Sequence, residues 1–288
     1  MEKHLLLTIS DDLNLLCGVR FAASFFRNTR QTKLTLLYVA PSHQSVSPHA
    51  DAVQHEMDRQ QARIYREKGQ MALNASQKYL TERGFPSENI ATRLISKRFG
   101  TVEDILFEGR GGHFDAVILG RRGYTLFEKA FANSVTREIM NRDIDFPVWV
   151  CRHPESGRRN VLLCVDETEP SLRIADHVGF ILEAEPEHSV TLFHVDLGEG
   201  KDAETILQYA HQKLIENKVP EQRIHSRIVK ASKVVKPIVE EVERGGYAAV
   251  AVGRGGTQAR SLFDKWLGSS SSMELMEIME KAALWVSK

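Results

Sequence analysis

The chain has 288 residues, 42% apolar and 26% charged, with 38 basic residues against 38 acidic ones. This is ordinary globular composition with length for two domains of about 140 residues each, which excludes a fibre or a disordered protein. Residues 1–152 carry 21 basic and 17 acidic groups and residues 153–288 carry 17 and 21, so the halves oppose in sign and offer no one-signed surface for nucleic acid.

From the start, Met1-Glu2-Lys3-His4 runs straight into Leu5-Leu6-Leu7. No signal-peptide core with a small-residue cleavage site is present, and a cytoplasmic protein is expected. Apolar runs such as Ala116–Gly120 and Val161–Val165 fall far below the roughly 20 residues that span a bilayer, so no membrane role is expected. Short β-branched or leucine-rich runs alternate with longer amphipathic ones, the βαβ pattern of a parallel sheet. Strands are expected near residues 4–10, 33–40, 91–96, 114–120 and 146–151, then near 160–166, 189–195, 225–230, 247–253 and 283–287. Helices are expected over Asp12–Phe26, capped by Asp11 or Asp12, and over Glu169–Leu182, with Thr168 as cap and Pro170 in the first turn. Two more are expected over Val102–Glu108 and over Val234–Arg244, the latter ending at Gly245-Gly246. Pro41–Gly84 is longer than its counterpart and holds a Gln- and Arg-rich helical pattern from Pro48 onward, read as a lid or packing helix. His43, His49 and His55 lie in it at a spacing that suits no metal. Cys17, Cys151 and Cys164 have no CxxC spacing and read as buried hydrophobes. His153–Arg159 reads as an exposed linker.

The two halves repeat one another. His4–Ser10 aligns with Asn160–Asp166, and Thr35–Val39 with Thr191–Val195, both at an offset of 156. Phe114–Gly120 aligns with Tyr247–Gly253 at an offset of 133, and Pro147-Val-Trp-Val150 with Ala283-Leu-Trp-Val286. Such self-similarity signals duplicated structural units. The fold class expected is α/β: two tandem doubly wound, Rossmann-like domains, residues 1–153 and 158–288, each a five-stranded parallel sheet with helices on both faces.

After the fourth strand of each half comes a glycine-rich turn, Gly120-Arg-Arg-Gly123 and Gly253-Arg-Gly-Gly256. Glycine lets the backbone approach a phosphate closely, and a following helix N-terminus offers free N–H groups. Asn133-Ser134-Val135 and Gly268-Ser269-Ser270 each open the last helix of their half, where hydroxyls and unpaired amides suit terminal phosphates. The arginines of these turns, Arg121, Arg122 and Arg254, are secondary candidates. The loops share a middle, Leu126-Phe-Glu-Lys129 and Leu262-Phe-Asp-Lys265.

These loops resemble the pattern of the universal stress protein family: Gly, two residues, Gly, nine residues, then Gly-Ser/Thr. The resemblance covers the chain twice. The first copy has Asn133 where the third glycine belongs, and the second has eleven residues, Thr257–Leu267, in place of nine. The family also places an Asp at the end of the first strand, toward adenine and ribose, and a Val at the end of the second. Asp166 and Val195 match. The first half has Ser10 and Val39, with Asp11 displaced by one residue, a slip that reverses side-chain direction. The resemblance implies ATP or another adenine nucleotide, with or without Mg, and points to the second half: Asp166 and Val195 at the base, Gly253, Gly256, Gly268, Ser269 and Ser270 at the phosphates. Each of these residues has a plainer reading as helix cap, turn former or solvated loop.

The resemblance also implies pairing through last strands. Val148-Trp149-Val150 and Leu284-Trp285-Val286 then form an internal pseudo-dimer, while core packing explains each tryptophan equally well. A further homodimer and unknown protein partners are left open. No GxSxG elbow, HExxH, Walker A or GxGxxG pattern is found, nor the Ser-Gly-Gly-x-Asp-Ser loop of related adenylating enzymes, so no enzyme is expected beyond slow incidental ATP hydrolysis. Three functions follow: a nucleotide-binding stress-response sensor, a nucleotide-free scaffold with degenerate pockets, or an unrecognised hydrolase or transferase using the crevice at the carboxyl ends of the strands.

Overall fold

The apolar runs form ten strands in the computed structural model, which describes residues 1–12, 16–42, 52–120, 135–142, 144–153, 155, 157–198, 202–254 and 271–287. They are β1 (Lys3–Thr8), β2 (Thr32–Ala40), β3 (Ile90–Ser96), β4 (Ala116–Gly120), β5 (Val148–Cys151), β6 (Val161–Cys164), β7 (Val190–Asp196), β8 (Ile224–Lys230), β9 (Ala249–Gly253) and β10 (Ala283–Ser287). Every strand expected from the sequence is present, with ends moved by a few residues. Eight helices accompany them among the described residues: α1 (Cys17–Phe25), α2 (Ala52–Thr81), α3 (Thr101–Gly111), α4 (Val135–Asn141), α5 (Glu169–Glu183), α6 (Ala203–Glu216), α7 (Val235–Gly245) and α8 (Ser271–Ile278).

One expected helix start is corrected. Helix α1 begins at Cys17 with Leu16 at its cap position and no side-chain cap bond, so neither Asp11 nor Asp12 caps it. Leu16 and the helix face of Cys17, Val19, Phe21, Ala22 and Phe25 are all buried, and tertiary packing of that face outweighs the capping preference. Helix α7 does end at Gly246, whose φ of 60° is the left-handed conformation that glycine adopts without strain. The extra length of the first half lies in α2, 30 residues against 14 in α6.

All ten strands belong to one sheet, in the order β3-β2-β1-β4-β5-β10-β9-β6-β7-β8. The five strands of each half join through their last strands, the pairing that the family resemblance implies: the order reads alike from both ends, and two sets of parallel strands meet where β5 pairs antiparallel with β10. Alternation along the strands divides the core. Leu5, Leu7, Leu34, Leu36, Leu163 and Leu192 face the layer of α1, α2, α5 and α6, whereas Leu6, Val117, Leu162 and Val250 face α3, α4, α7 and α8.

At the junction Trp285 lies opposite Trp149. The indoles stack at 4.0 Å between centroids with 6° between planes, and both are fully buried. Phe21 meets both tryptophans edge-on from α1. From α5, the Trp149 Nε1–H donates to His177 Nε2 at 3.0 Å, so the neutral ring carries its proton on Nδ1. Burial pushes the pKa of His177 down to about 3. Position 21 plus the repeat offset of 156 is position 177, so Phe21 stands where the other half has His177. Phenylalanine cannot accept, and Trp285 Nε1 is buried without a hydrogen bond. The junction extends outward through the Glu185 carboxylate, which accepts the backbone N–H groups of Arg27 and Asn28 at 2.8 and 3.3 Å. Buried Lys3 reaches Glu183 at 3.5 Å.

Candidate functional site

In this strand order the connections run toward opposite edges on either side of the parallel pairs β1–β4 and β6–β9. Those are the switch points beyond whose carboxyl ends open α/β sheets hold ligands. Register brings the predicted residues there. Cys164 pairs with Phe193 on one side and Val252 on the other, so Asp166, two residues on, lies beside Val195 and the Gly253 end of β9. In the first half Thr8 pairs with Leu37 and Leu119, placing Ser10 beside Val39 and Gly120. Equivalent bonds, Ile9 N to Leu37 O and Val165 N to Phe193 O, extend both strands and make Ser10 the true counterpart of Asp166.

The two ends differ chemically. Asp166 is 7% exposed, and its Oδ1 accepts from the Thr168 backbone N–H at 2.9 Å and the Thr168 hydroxyl at 2.5 Å. Its own N–H donates to Ser171 Oγ at 2.9 Å. Burial raises the Asp166 pKa above the usual carboxylate value, against the Thr168 bonds and nearby His194 that favour the anion. Thr168 holds the cap position of α5 without making a side-chain cap bond, since its hydroxyl is turned to Asp166. Val195 is buried, and Ser10 and Val39 are half-buried.

Gly253 is pressed against the first turn of α5. A Cβ there would stand 2.5 Å from both the Pro170 carbonyl carbon and the Ser171 nitrogen, so no side chain fits. Its counterpart Gly120 would have its nearest contact at 3.4 Å, to the Gly18 nitrogen. Glycine at 253 is thus required by strand–helix packing independently of any phosphate. Arg254 donates its backbone N–H to Ser287 O at 2.7 Å, tying this end of β9 to β10.

Val135 opens α4 and is exposed. Gly123, Asn133, Ser134, Gly256, Gly268, Ser269 and Ser270, with Arg121 and Arg122, lie outside the described residues, as do His43 and His49. His55 is exposed on α2, and the described residues contain no group of three His, Cys, Asp or Glu side chains that would hold a metal ion. Among the described residues no helix is long and apolar enough to cross a membrane. The three cysteines are buried and unpaired by disulfide.

Sequence reasoning missed two features. His194 is buried beside Asp166, and its Nδ1 bonds the Val165 carbonyl at 2.9 Å. That nitrogen must donate, because a carbonyl only accepts. The signal was a histidine where the aligned strand of the first half has Tyr38. The second feature is a groove of about 520 Å³ at the junction, lined by Asp115, Pro147, Glu169, Arg173, His177 and Phe180 among others. Because it draws on both halves, neither repeat read alone shows it.

Comparison with known proteins agrees with this architecture. No curated protein matches the sequence. A universal stress protein from Archaeoglobus fulgidus DSM 4304 superimposes with a TM-score of 0.68 at 19% identity, covering 99% of this chain and 98% of that one. At this identity the likeness is one of fold. A functionally unknown protein from Pseudomonas aeruginosa PAO1 matches with a TM-score of 0.48 at 14% identity, covering 99% of this chain and 92% of that one. A universal stress protein solved in complex with cAMP matches 45% of this chain and 95% of its own at 19% identity, with a TM-score of 0.34. The family model described as the Universal stress protein family matches residues 2–152, more than half of the chain. The chain therefore belongs to the universal stress protein family.

Proposed function

We propose that the chain is a tandem universal stress protein, with domains at residues 1–153 and 158–288, that binds ATP or a related adenine nucleotide in its second half. It acts there as a sensor that alters contacts with protein partners, not as a metabolic enzyme. The observation that carries this reading is Asp166: a buried carboxylate at a switch point, flanked by Val195 and Gly253. Its Oδ1 is held by Thr168, while Oδ2 makes no hydrogen bond among the described residues. One oxygen orients the group and the other is left for a ribose hydroxyl. The apolar Val195 side chain suits the flat face of a base. Gly256, Gly268, Ser269 and Ser270 would supply backbone N–H and hydroxyl donors to the phosphates, with Mg as counter-ion where the triphosphate needs one. Ser10 offers no carboxylate, so the first half contributes shape and pairing.

A second reading, a nucleotide-free scaffold, has its own support. The Thr168 bonds and the approach of Gly253 to Pro170 explain both residues as parts of the β6–α5 turn without any ligand. Mass spectrometry of the denatured, freshly purified protein separates the two. Adenine nucleotide released from the parent and missing from Asp166→Ala and Gly268→Val supports the sensor. If none is released and added ATP leaves the melting temperature unchanged, the scaffold reading stands.

A further inference from the structure

Helix α2 is the element that is longer in the first half than in the second, and its two faces differ. Ala72, Leu73, Ser76 and Leu80 are buried against the sheet. On the outer side Val53, Met57, Ile64 and Met71 are exposed by 67%, 59%, 38% and 63%. At 3.6 residues per turn these four lie within an arc of about 40°, a continuous apolar stripe along five turns of helix. Four large apolar side chains on one line are not the scattered exposure that needs no explanation.

We propose that this stripe is a self-association surface, and that its occupant is α2 of a second copy of the chain, packed antiparallel about a two-fold axis at Ile64. The spacing is self-complementary. Met57 and Met71 stand seven residues to either side of Ile64, so the axis sets Ile64 on Ile64 and each Met57 on the partner's Met71. Val53 then meets the partner's Ala75, a small residue on the same arc. An isologous contact requires one patch to match itself under a two-fold, and this one does. Seven-residue steps keep apolar side chains in register along a helix pair. Charge agrees: the polar pairs set directly opposite are Lys68 with Gln60 and Glu67 with Gln61, so no like charges meet there, and Arg63 is already paired with Glu67 on its own helix at 2.9 Å.

The sheet also directs a second copy here. Strand pairing through β5 and β10 is consumed inside the chain, so those edges cannot recruit another copy. A single helix pair falls at the small end of protein interfaces, which makes the dimer weak and concentration-dependent.

Sedimentation velocity on the full chain across a wide concentration range tests this, with Ile64→Arg and the double variant Met57→Glu/Met71→Glu alongside. The parent is expected to shift from monomer toward dimer as concentration rises, with both variants monomeric throughout. Melting temperatures should be unchanged, since these side chains point away from the core. Geometry is read by cross-linking. Ile64→Cys should form a disulfide-linked dimer under mild oxidant, and mixed Met57→Cys and Met71→Cys chains should cross-link to each other far faster than either to itself. The native cysteines are buried and do not compete. A parent that stays monomeric at every concentration, a dimer that survives Ile64→Arg, or faster linkage between like positions would overturn the proposal. Binding of monomers to lipid vesicles without self-association would also overturn it, and would assign the stripe to a membrane surface.

Discussion

At the first switch point, β1 runs out at Ser10, a half-buried hydroxyl beside Val39, and Gly120 keeps an ordinary distance from Gly18. At the second, β6 runs out at Asp166, a buried carboxylate bonded to Thr168 and close to His194, and Gly253 is locked against Pro170. The same backbone thus carries different chemistry, and the side that holds charge is also the side with the tighter frame. The junction is uneven in the same way. Trp149 has an acceptor in His177, while Trp285, facing Phe21, has none. Elsewhere the copies agree. Glu108 is buried with Arg93 and Arg98, and its counterpart Glu241 with Arg227, Arg244 and the Tyr247 hydroxyl. The buried Glu–Arg clusters and the seam tryptophans are kept twice, and the Asp166 carboxylate and the His177 acceptor are kept once.

The seam gives the largest expected effect. Trp149→Ala removes half of the central stack and should cost about 3–5 kcal/mol in guanidinium unfolding. A loss below about 1 kcal/mol would mean that the two sets of strands do not share a core. Acid should follow. His177 and His188 are held neutral by burial, with pKa values lowered to about 3 and about 4 from 6.5. The unfolded chain therefore binds more protons, and stability is intact above the unfolded value and lost as pH falls below it. Between pH 7 and pH 5 each histidine should cost about 2 kcal/mol. Unfolding curves at the two pH values in parent and His177→Phe should show a smaller loss in the variant.

Seam asymmetry is sharpened by swapping its partners. A buried N–H without an acceptor costs about 1–3 kcal/mol. His177→Phe orphans Trp149, whereas Phe21→His gives Trp285 an acceptor, so at pH 8 the second substitution should be the milder by about 1 kcal/mol or more. Equal losses would show that the pairing of Trp149 with His177 contributes nothing. The smallest effect belongs to the strand ends. Asp166→Ala removes the bonds that fix the start of α5 and should lower stability by about 1 kcal/mol in the absence of nucleotide. Ser10→Ala should leave the melting temperature within error.

Most of this fold was legible because alternation and repeat are carried by many residues at once. Leu5 and Leu7 against Leu6 already divide the sheet into two faces, and the offsets of 156 and 133 match the five strands of one half to the five of the other within a few residues. The start of α1 was misjudged because Asp11 and Asp12 look like caps while the helix begins at Cys17, with Leu16 at its cap position. The pairing of last strands that joins the two sets into one sheet, with Trp149 opposite Trp285, was expected from the family resemblance, since no local pattern encodes a contact across more than a hundred residues. At the site, Asp166 and Val195 came from the family resemblance and Gly253 from the glycine-rich turn after the fourth strand. Their actual bonds, to Thr168 and against Pro170, depend on how α5 leaves the sheet, which capping preferences describe only in part. His194 was visible as an aligned substitution but had no motif to give it meaning.

The difference between the halves is tested most directly by the number of ATP molecules bound per chain in titration calorimetry, with Asp166→Ala and Ser10→Ala run beside the parent. One site per chain, lost in Asp166→Ala and retained in Ser10→Ala, is the predicted result. Two sites per chain, or a single site that survives Asp166→Ala, would contradict it.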